Sequence, residues 1–458
     1  MRKEILRMER VTYKEQEVTI LQDFSFHIME GEIVGLIPEN TYGLSVLFDI
    51  LLYNMPLYDG YVYVQDKLVN SWRDMKRSDN RIALIQEKSS LVEGQNAVIN
   101  IFVLRRGFKQ EVLQTTLYSK QLRSMIEELG VAIPLDVPVE RLSVFERILI
   151  ELLRAVVANH RLIILHEISA ILSDREREQL YEILRYFQKK GFTFLYISHW
   201  FQELLPVCQR MAIMKNGKII KKISEKDINK DTLRLYTKEY PSYERRERKI
   251  PEDCVILEAK FWEGEYIAKF DFQVKRSECL VIQGIENKKF FELVRTLTGS
   301  DKTCESAYFY KNQITELDND RRIALIQERP TQTMLFEDMS YMDNLCITLD
   351  HRIKGIWRSK KLRKSIQSEY GKLFGEEVFE KKLEELTQIQ KYELVYGRIL
   401  LQKPEVVFCI QPFKGVDMVH RNRIWELQEM LLKKGIAVVI VALNRLDEMC
   451  LADRILYL

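Results

Sequence analysis

The chain has 458 residues, 46% hydrophobic and 30% charged, with a formal charge of 70 − 67 = +3. That length leaves room for two or more domains with their own cores, and so small a net charge gives no global attraction to nucleic acid or anionic lipid. No apolar run approaches the roughly 18 residues a membrane span needs, and the stretch from Met1 to Val11 lacks the apolar core of a signal peptide. Seven scattered cysteines without a CxxC pair, and six histidines without ligand spacing, point to reduced thiols in a cytoplasmic protein rather than disulfides or a metal centre.

The first thirty residues alternate in strand fashion and include Tyr13. Residues 32–37 read as a buried strand, 38–43 as a turn, and Leu44 to Phe48 as the start of a helix. A strand, a glycine-containing turn and a helix opening together place backbone N–H groups around an anion. Asp59-Gly60 turns into a strand over 61–64, and Ile82 to Ile85 form a further buried strand ending at Gln86. From Ser89 to about Leu153 the pattern is helical, with a polar break near 136–141. Leu142-Ser143 opens a helix over 144–158. Leu162 to Leu165 is a short, continuously apolar run, which a parallel strand covered on both faces needs. His166 and Glu167 follow at its carboxyl end, where ligands collect in open α/β sheets. Next come a helix over 174–190, a strand over 193–197, Ser198-His199, and a hairpin around Asn216-Gly217.

The pattern then returns. Leu142, Arg154 and Glu167 recur as Leu386, Arg398 and Gln411, each 244 residues later. The run Arg81 to Glu87 recurs as Arg322 to Glu328 at an offset of 241. A constant offset of this size means a duplicated domain rather than a solenoid repeat. Between the copies, the composition of 224–253 shifts to charge, centred on Glu244 to Lys249, as in a solvated linker.

In this order and spacing, the chain resembles the ATP-binding subunits of ABC transporters, and in particular the tandem type that serves ribose and galactose-type sugar importers in bacteria. The resemblance covers essentially the whole chain. It implies an α/β architecture of two tandem nucleotide-binding domains of the P-loop NTPase fold, each with a helical subdomain. The first cassette is expected over 1–223 and the linker over 224–254. The second is expected over 255–458, degenerate and shorter at its C-terminal end. In the first copy the resemblance assigns nucleotide binding to Tyr13 (adenine stacking) and to the loop Pro38, Glu39, Asn40, Thr41, Tyr42, Gly43, Leu44, Ser45 and Val46. Catalysis falls to Glu167, which would polarise the attacking water, with His199 and Gln86. Ser45 and Gln86 would contact magnesium. Ser143 and Thr387 belong to the two signatures, and Asp174 and Asp417 to contacts across the cassette interface.

Departures from the family pattern are as informative as the matches. The phosphate-loop lysine is replaced by Leu44, and Pro38 has no N–H to offer. The signature reads Leu142-Ser143-Val144-Phe145-Glu146, without its glycines, and His166 stands where the family has a metal-holding Asp. In the second copy Phe290 takes the lysine position, the signature reads Leu386-Thr387-Gln388-Ile389-Gln390, Gln411 replaces the catalytic Glu, and Asn444 stands in place of the histidine. Lost phosphate contacts of about 1.5–3 kcal/mol each imply weakened or lost binding of ATP and magnesium.

The expected function is thus an ATP-binding subunit of a carbohydrate-type importer with impaired hydrolysis. The alternative is a non-hydrolysing pseudo-ATPase with a structural or regulatory role. The resemblance implies permease subunits in the membrane as partners, no nucleic acid, and a cytoplasmic position at the inner face of the plasma membrane. The duplication also predicts where protease acts first. Limited trypsin digestion should cut within Glu244–Lys249 and release two fragments of similar size; first cuts within Leu162–Glu167 would contradict the two-domain reading.

Overall fold

The computed structural model describes residues 3–70, 80–103, 115–228, 253–261, 264–284, 286–299, 304–310, 312–314, 320–349, 360–443 and 451–458. The chain divides into two compact units, Met1–Glu239 and Tyr240–Leu458. Most of the charged stretch expected as a linker, 229–252, lies outside the described residues, as does Asn444.

The first unit opens with β1 (Glu4–Glu15), β2 (Val18–Met29), β3 (Ile33–Pro38), α1 (Leu44–Leu52), β4 (Asp59–Val64), β5 (Lys67–Leu68) and β6 (Ile82–Gln86). It continues through α2 (Ala97–Phe102), α3 (Thr115–Glu128), α4 (Val144–Val157), β7 (Leu162–His166), α5 (Asp174–Lys189), β8 (Thr193–Ile197), α6 (Phe201–Leu204) and the hairpin β9 (Arg210–Lys215) and β10 (Lys218–Ile223). Two sheets result. One is antiparallel, in the order β2-β1-β4-β5; the other runs β10-β9-β3-β8-β7-β6 and is parallel except at the hairpin.

Period-two side-chain alternation explains why the second sheet is covered on both faces. Ile163, Leu165, Phe194 and Tyr196 point into a core shared with α4 and α5. Leu162, Ile164, Leu195 and Ile197 point the other way, into a core shared with α1 and the antiparallel sheet. All of these side chains are at most 1% exposed.

The second unit repeats the plan. Its elements are β11 (Val255–Phe261), β12 (Phe270–Lys275), β13 (Cys279–Gln283), α7 (Asn287–Leu297), β14 (Cys304–Phe309), β15 (Asn312–Ile314) and β16 (Ile323–Ile326). Then follow α8 (Pro330–Thr333), α9 (Tyr341–Cys346), α10 (Lys360–Phe374), α11 (Gln388–Gln402), β17 (Val406–Ile410), α12 (Met418–Lys433), β18 (Ala437–Ala442) and β19 (Arg454–Tyr457). Its antiparallel sheet runs β12-β11-β14-β15, and its parallel sheet β16-β17-β18-β13-β19. Taken from the other edge, the latter is the order β9-β3-β8-β7-β6 of the first unit.

Polar pins recur along with the strands. Arg210 Nη2 lies 2.9 Å from Glu32 Oε2, and Arg454 Nε lies 3.4 Å from Glu278 Oε1. Asn100 and Asn344, 244 residues apart and fully buried, do the same work in each helical subdomain. Val92 N–H donates to Asn100 Oδ1 at 2.7 Å while Asn100 Nδ2 donates to the Val92 carbonyl at 3.1 Å. Phe336 and Asn344 repeat the exchange at 2.9 Å in both directions. A carboxamide carries an N–H donor and a carbonyl acceptor side by side without charge, which suits this exchange. Asn100→Ala and Asn344→Ala should each destabilise the protein by about 2–4 kcal/mol, because backbone groups are left unsatisfied. Denaturant titration with a probe in each unit measures this, and each loss should fall in the unit that carries the substitution.

Candidate functional site

In the first unit, β-ladder register brings the candidate residues together. Gln86 is the cross-strand partner of His166, and His166 of Ile197. The carboxyl ends of β3, β6, β7 and β8 therefore deliver Pro38, Gln86, His166-Glu167 and Ser198-His199 to one edge. Glu167 leaves β7 with φ +53°, and its N–H donates to the Ile197 carbonyl at 3.0 Å. Its Oε1 accepts the His199 backbone N–H at 2.8 Å. His199 is 4% exposed, and its Nδ1 donates to the Pro38 carbonyl at 2.7 Å. A carbonyl can only accept, so Nδ1 carries a proton, while Nε2 lies 4.0 Å from Glu167 Oε1.

The loop after β3 is tied down on one side. Glu39 is 7% exposed and its carboxylate lies 2.7 Å from Lys215 Nζ. Its N–H donates to the Met214 carbonyl at 2.8 Å. Asn40 Nδ2 donates to Asn216 Oδ1 at 2.6 Å, and Tyr42 OH to the Thr19 carbonyl at 2.9 Å. The Thr41 carbonyl accepts the Leu44 N–H at 3.2 Å. Gly43, with φ +82°, then turns the chain into α1. A side chain at this position would have to adopt an unfavourable left-handed backbone, with its Cβ 3.0 Å from Leu21 and 3.1 Å from the Ile20 carbonyl. Ser45 is exposed and Val46 half-buried, while Leu44 is 3% exposed and packs in the core with Leu21 and Leu47. Tyr13, half-buried on β1, packs against the same core.

Magnesium, which the resemblance implies, prefers several hard oxygen donors. The residues present offer Ser45 and Gln86, both exposed and neutral, and Glu167, one of whose oxygens already serves His199. His166 adds an imidazole whose ring centroid lies 4.9 Å from that of Phe48, and burial pushes its pKa below the usual histidine range. No group of three or more His, Cys, Asp or Glu among the described residues could hold a metal ion. These residues alone form no cage for the ion; Ser45 and Gln86 would be its protein donors, with nucleotide phosphates and water completing the shell.

The signature residues serve as helix caps. Ser143 Oγ accepts the Glu146 N–H at 3.2 Å, and Glu146 Oε2 accepts the Ser143 N–H at 2.7 Å, a reciprocal capping box. Thr387 and Gln390 form the same box at the start of α11, at 3.2 and 3.0 Å. Phe145 turns into the core at 8% exposure. Asp174 pairs with Arg177 at 2.5 Å. Asp417 caps α12 by accepting the His420 N–H at 3.0 Å. The capping residue of α5 is Ser173, and 417 − 173 = 244, so Asp417 matches Ser173 and not Asp174. The repeat offset carried that pairing in the sequence. Lys215, the partner of Glu39, had no such signal: it lies 176 residues away in a hairpin that reads as ordinary surface.

In the second unit the loop has a different form. The equivalent pins Glu32 and Glu278 differ by 246, which aligns Phe290 with Leu44 and Lys289 with Gly43. Here α7 begins at Asn287, the equivalent of position 41, one helical turn earlier than α1. A helix that meets lysine instead of a left-handed glycine continues backwards, and the turn that would cradle an anion becomes its first turn. Phe290 is fully buried, with its Cβ 2.8 Å from where a Cβ on Gly284 would lie. Gln411 repeats the geometry of Glu167, with φ +40° and its N–H on the Val441 carbonyl at 2.9 Å, but brings no charge.

With the geometry in place, the comparisons are specific. Residues 21–170 match the ABC transporter family. The ribose import ATP-binding proteins of Shouchella clausii and Halalkalibacterium halodurans are similar to this chain at 26% and 27% identity, over 96% and 95% of it and 90% of each of them. A solved nucleotide-free ATP-binding cassette from an ABC transporter aligns with 51% of this chain and 98% of its own, at 19% identity and a TM-score of 0.42. The family match over the first unit, the similarity to ribose import ATP-binding proteins along nearly the whole chain, and the repeated sheet order agree: the chain has the α/β fold of two tandem ATP-binding cassettes and resembles the ABC transporter ATP-binding subunits.

Proposed function

We propose that the chain is the ATP-binding subunit of a carbohydrate-type importer, that it holds nucleotide in the first unit alone, and that it hydrolyses it slowly. The contrast between the two loops carries this reading. The first unit keeps a turn closed by Gly43 and an α1 N-terminus without an acidic residue in its first turn. The second has wound the same segment into helix. Similarity to ribose import proteins supports the importer assignment. Membrane-embedded permease subunits are the partners such a role requires, docked near Gln86 and Gln327 on the cytoplasmic face of the membrane. No helix among the described residues is long and apolar enough to cross a membrane.

Two features argue for slow turnover. Leu44 and Phe290, buried at the lysine positions, give nothing to a phosphate. Phosphoryl transfer depends almost wholly on positioning and electrostatic stabilisation, so losing a cation costs rate as well as affinity. The Glu39 carboxylate adds repulsion against a polyanion beside it, and it holds the Lys215 ammonium to itself. The burial of Leu44 and Phe290 also favours the second reading, a pseudo-ATPase that binds without hydrolysing.

Equilibrium binding of magnesium-ATP to the full chain should show one site, not two. Glu39→Gln should tighten that site about tenfold, equivalent to ~1.4 kcal/mol, by removing the repulsion and releasing Lys215. Glu286→Gln in the second unit should change nothing. Two equal sites, or an unchanged affinity in Glu39→Gln, would contradict the proposal. Phosphate release separates the two readings: a slow rate lost in Glu167→Gln belongs to an ATPase, and an identical background in both proteins belongs to a pseudo-ATPase.

A further inference from the structure

The second unit contains a cavity of about 760 Å³ behind its parallel sheet, away from the strand ends of the candidate site. Its volume lies within the range of sites for small organic ligands, about 300–1,000 Å³. The floor is apolar: Ile256, Tyr370, Leu400 and Ile436 line it and are each at most 7% exposed. The rim is cationic, with Arg276, Lys403 and Lys434. Two carboxylates also line it. Glu405 faces Tyr310 OH as a hydrogen-bond partner and Arg276 at 3.9 Å, and Glu369 stands exposed on α10. Among the described residues Lys403 and Lys434 have no ion pair, so the rim carries an excess of positive charge.

The first unit shows that the fold does not require this space. At the constant offset of 244, Met430, Ile436, Lys434 and Glu405 correspond to Tyr186, Phe192, Lys190 and Arg161. There Lys190 is paired with Glu128 at 3.0 Å and hydrogen-bonded to Tyr186 OH. The Arg161 guanidinium lies over the Phe192 ring at 4.9 Å. At these positions the first unit thus has two aromatic rings and an ion-paired ammonium where the second has Met430, Ile436 and, among the described residues, no ion pair at Lys434.

We infer that this cavity is a binding site for an amphipathic anion, a molecule with an aliphatic or aryl body and one carboxylate or phosphomonoester head. The body fits the apolar floor, where its burial is favourable, and the head meets Lys403 and Lys434 in charge-assisted contacts. A site of this kind would report the level of a metabolite to the unit whose nucleotide loop has closed. It does not depend on whether ATP binds the first unit.

The test uses the full chain and 8-anilinonaphthalene-1-sulfonate as a fluorescent probe. We expect saturable binding at one site, displaced by decanoate and decyl phosphate and not by decyltrimethylammonium. Decanoate stronger than decyl phosphate would assign a carboxylate head, and the reverse a phosphate head. The double substitution Met430→Tyr/Ile436→Phe gives the cavity the side chains of the first unit and should abolish binding. Lys403→Glu/Lys434→Glu, on the exposed rim, should weaken it about tenfold or more while leaving the circular dichroism and melting temperature unchanged. Unaltered probe binding in the lysine variant, or equal displacement by the cationic surfactant, would overturn the proposal even if the filled variant failed to fold.

Discussion

Both units depend on the parallel ladder at their centre. Each strand is apolar on both faces, so a slip of register by one residue would exchange every side chain between the two cores. That penalty holds β3, β6, β7 and β8 in register, and their carboxyl ends come to one edge as a consequence. Glu167 reaches His199 because His166 is paired with Ile197, and Gln86 is near because it is paired with His166. The candidate site is an end effect of core packing. For the same reason Gln411, on a ladder of the same order, repeats the backbone geometry of Glu167 without its charge.

Where the ladder ends, local conformation decides what the chain becomes. The loop between β3 and α1 stays a loop because Gly43 adopts a left-handed conformation that costs an L residue roughly 1 kcal/mol or more. Once that residue is lysine, helix is the better state for the three positions before it, since each gains a backbone hydrogen bond at little added cost. One substitution type thus accounts for both the longer helix and the missing cradle in the second unit. Glu292 then clamps the neighbouring hairpin, its carboxylate accepting the N–H groups of Glu265, Tyr266 and Ile267 at 2.7–2.8 Å.

Much of this was legible in the sequence, and the pattern of what was not is instructive. The buried strands, the hairpin at Asn216-Gly217 and the two-copy plan followed from continuous apolar runs, turn residues and a constant offset, all of them local or periodic signals. The left-handed turn at Gly43 was legible as a glycine before a helix. The engagement of Glu39 by Lys215 was not, because it joins residues 176 apart through the pairing of β3 with β9. Nor was the extra turn of α7, since a sequence of charged residues ahead of Phe290 reads equally as loop or helix until the backbone is seen. Asp174 and Asp417 are both acidic and close to a helix start, but the offset of 244, with the capping geometry in agreement, pairs Asp417 with Ser173.

What the two units share, and what they have each lost, separates two kinds of constraint. Both keep the capping boxes at Ser143 and Thr387, the buried carboxamides Asn100 and Asn344, and the Glu–Arg pins at Glu32 and Glu278. These groups satisfy backbone donors or buried charges, and each is worth a kcal/mol or more to folding, roughly. Both units have lost the lysine, the signature glycines and the metal-holding carboxylate, none of which the fold needs. A chain required to turn over ATP rapidly at two sites could not shed the second set. A chain required to fold as two cassettes and present their surfaces could not shed the first. The groups shared by the two units are those of the second requirement, and the first unit adds the contact of the Glu167 carboxylate with the His199 N–H.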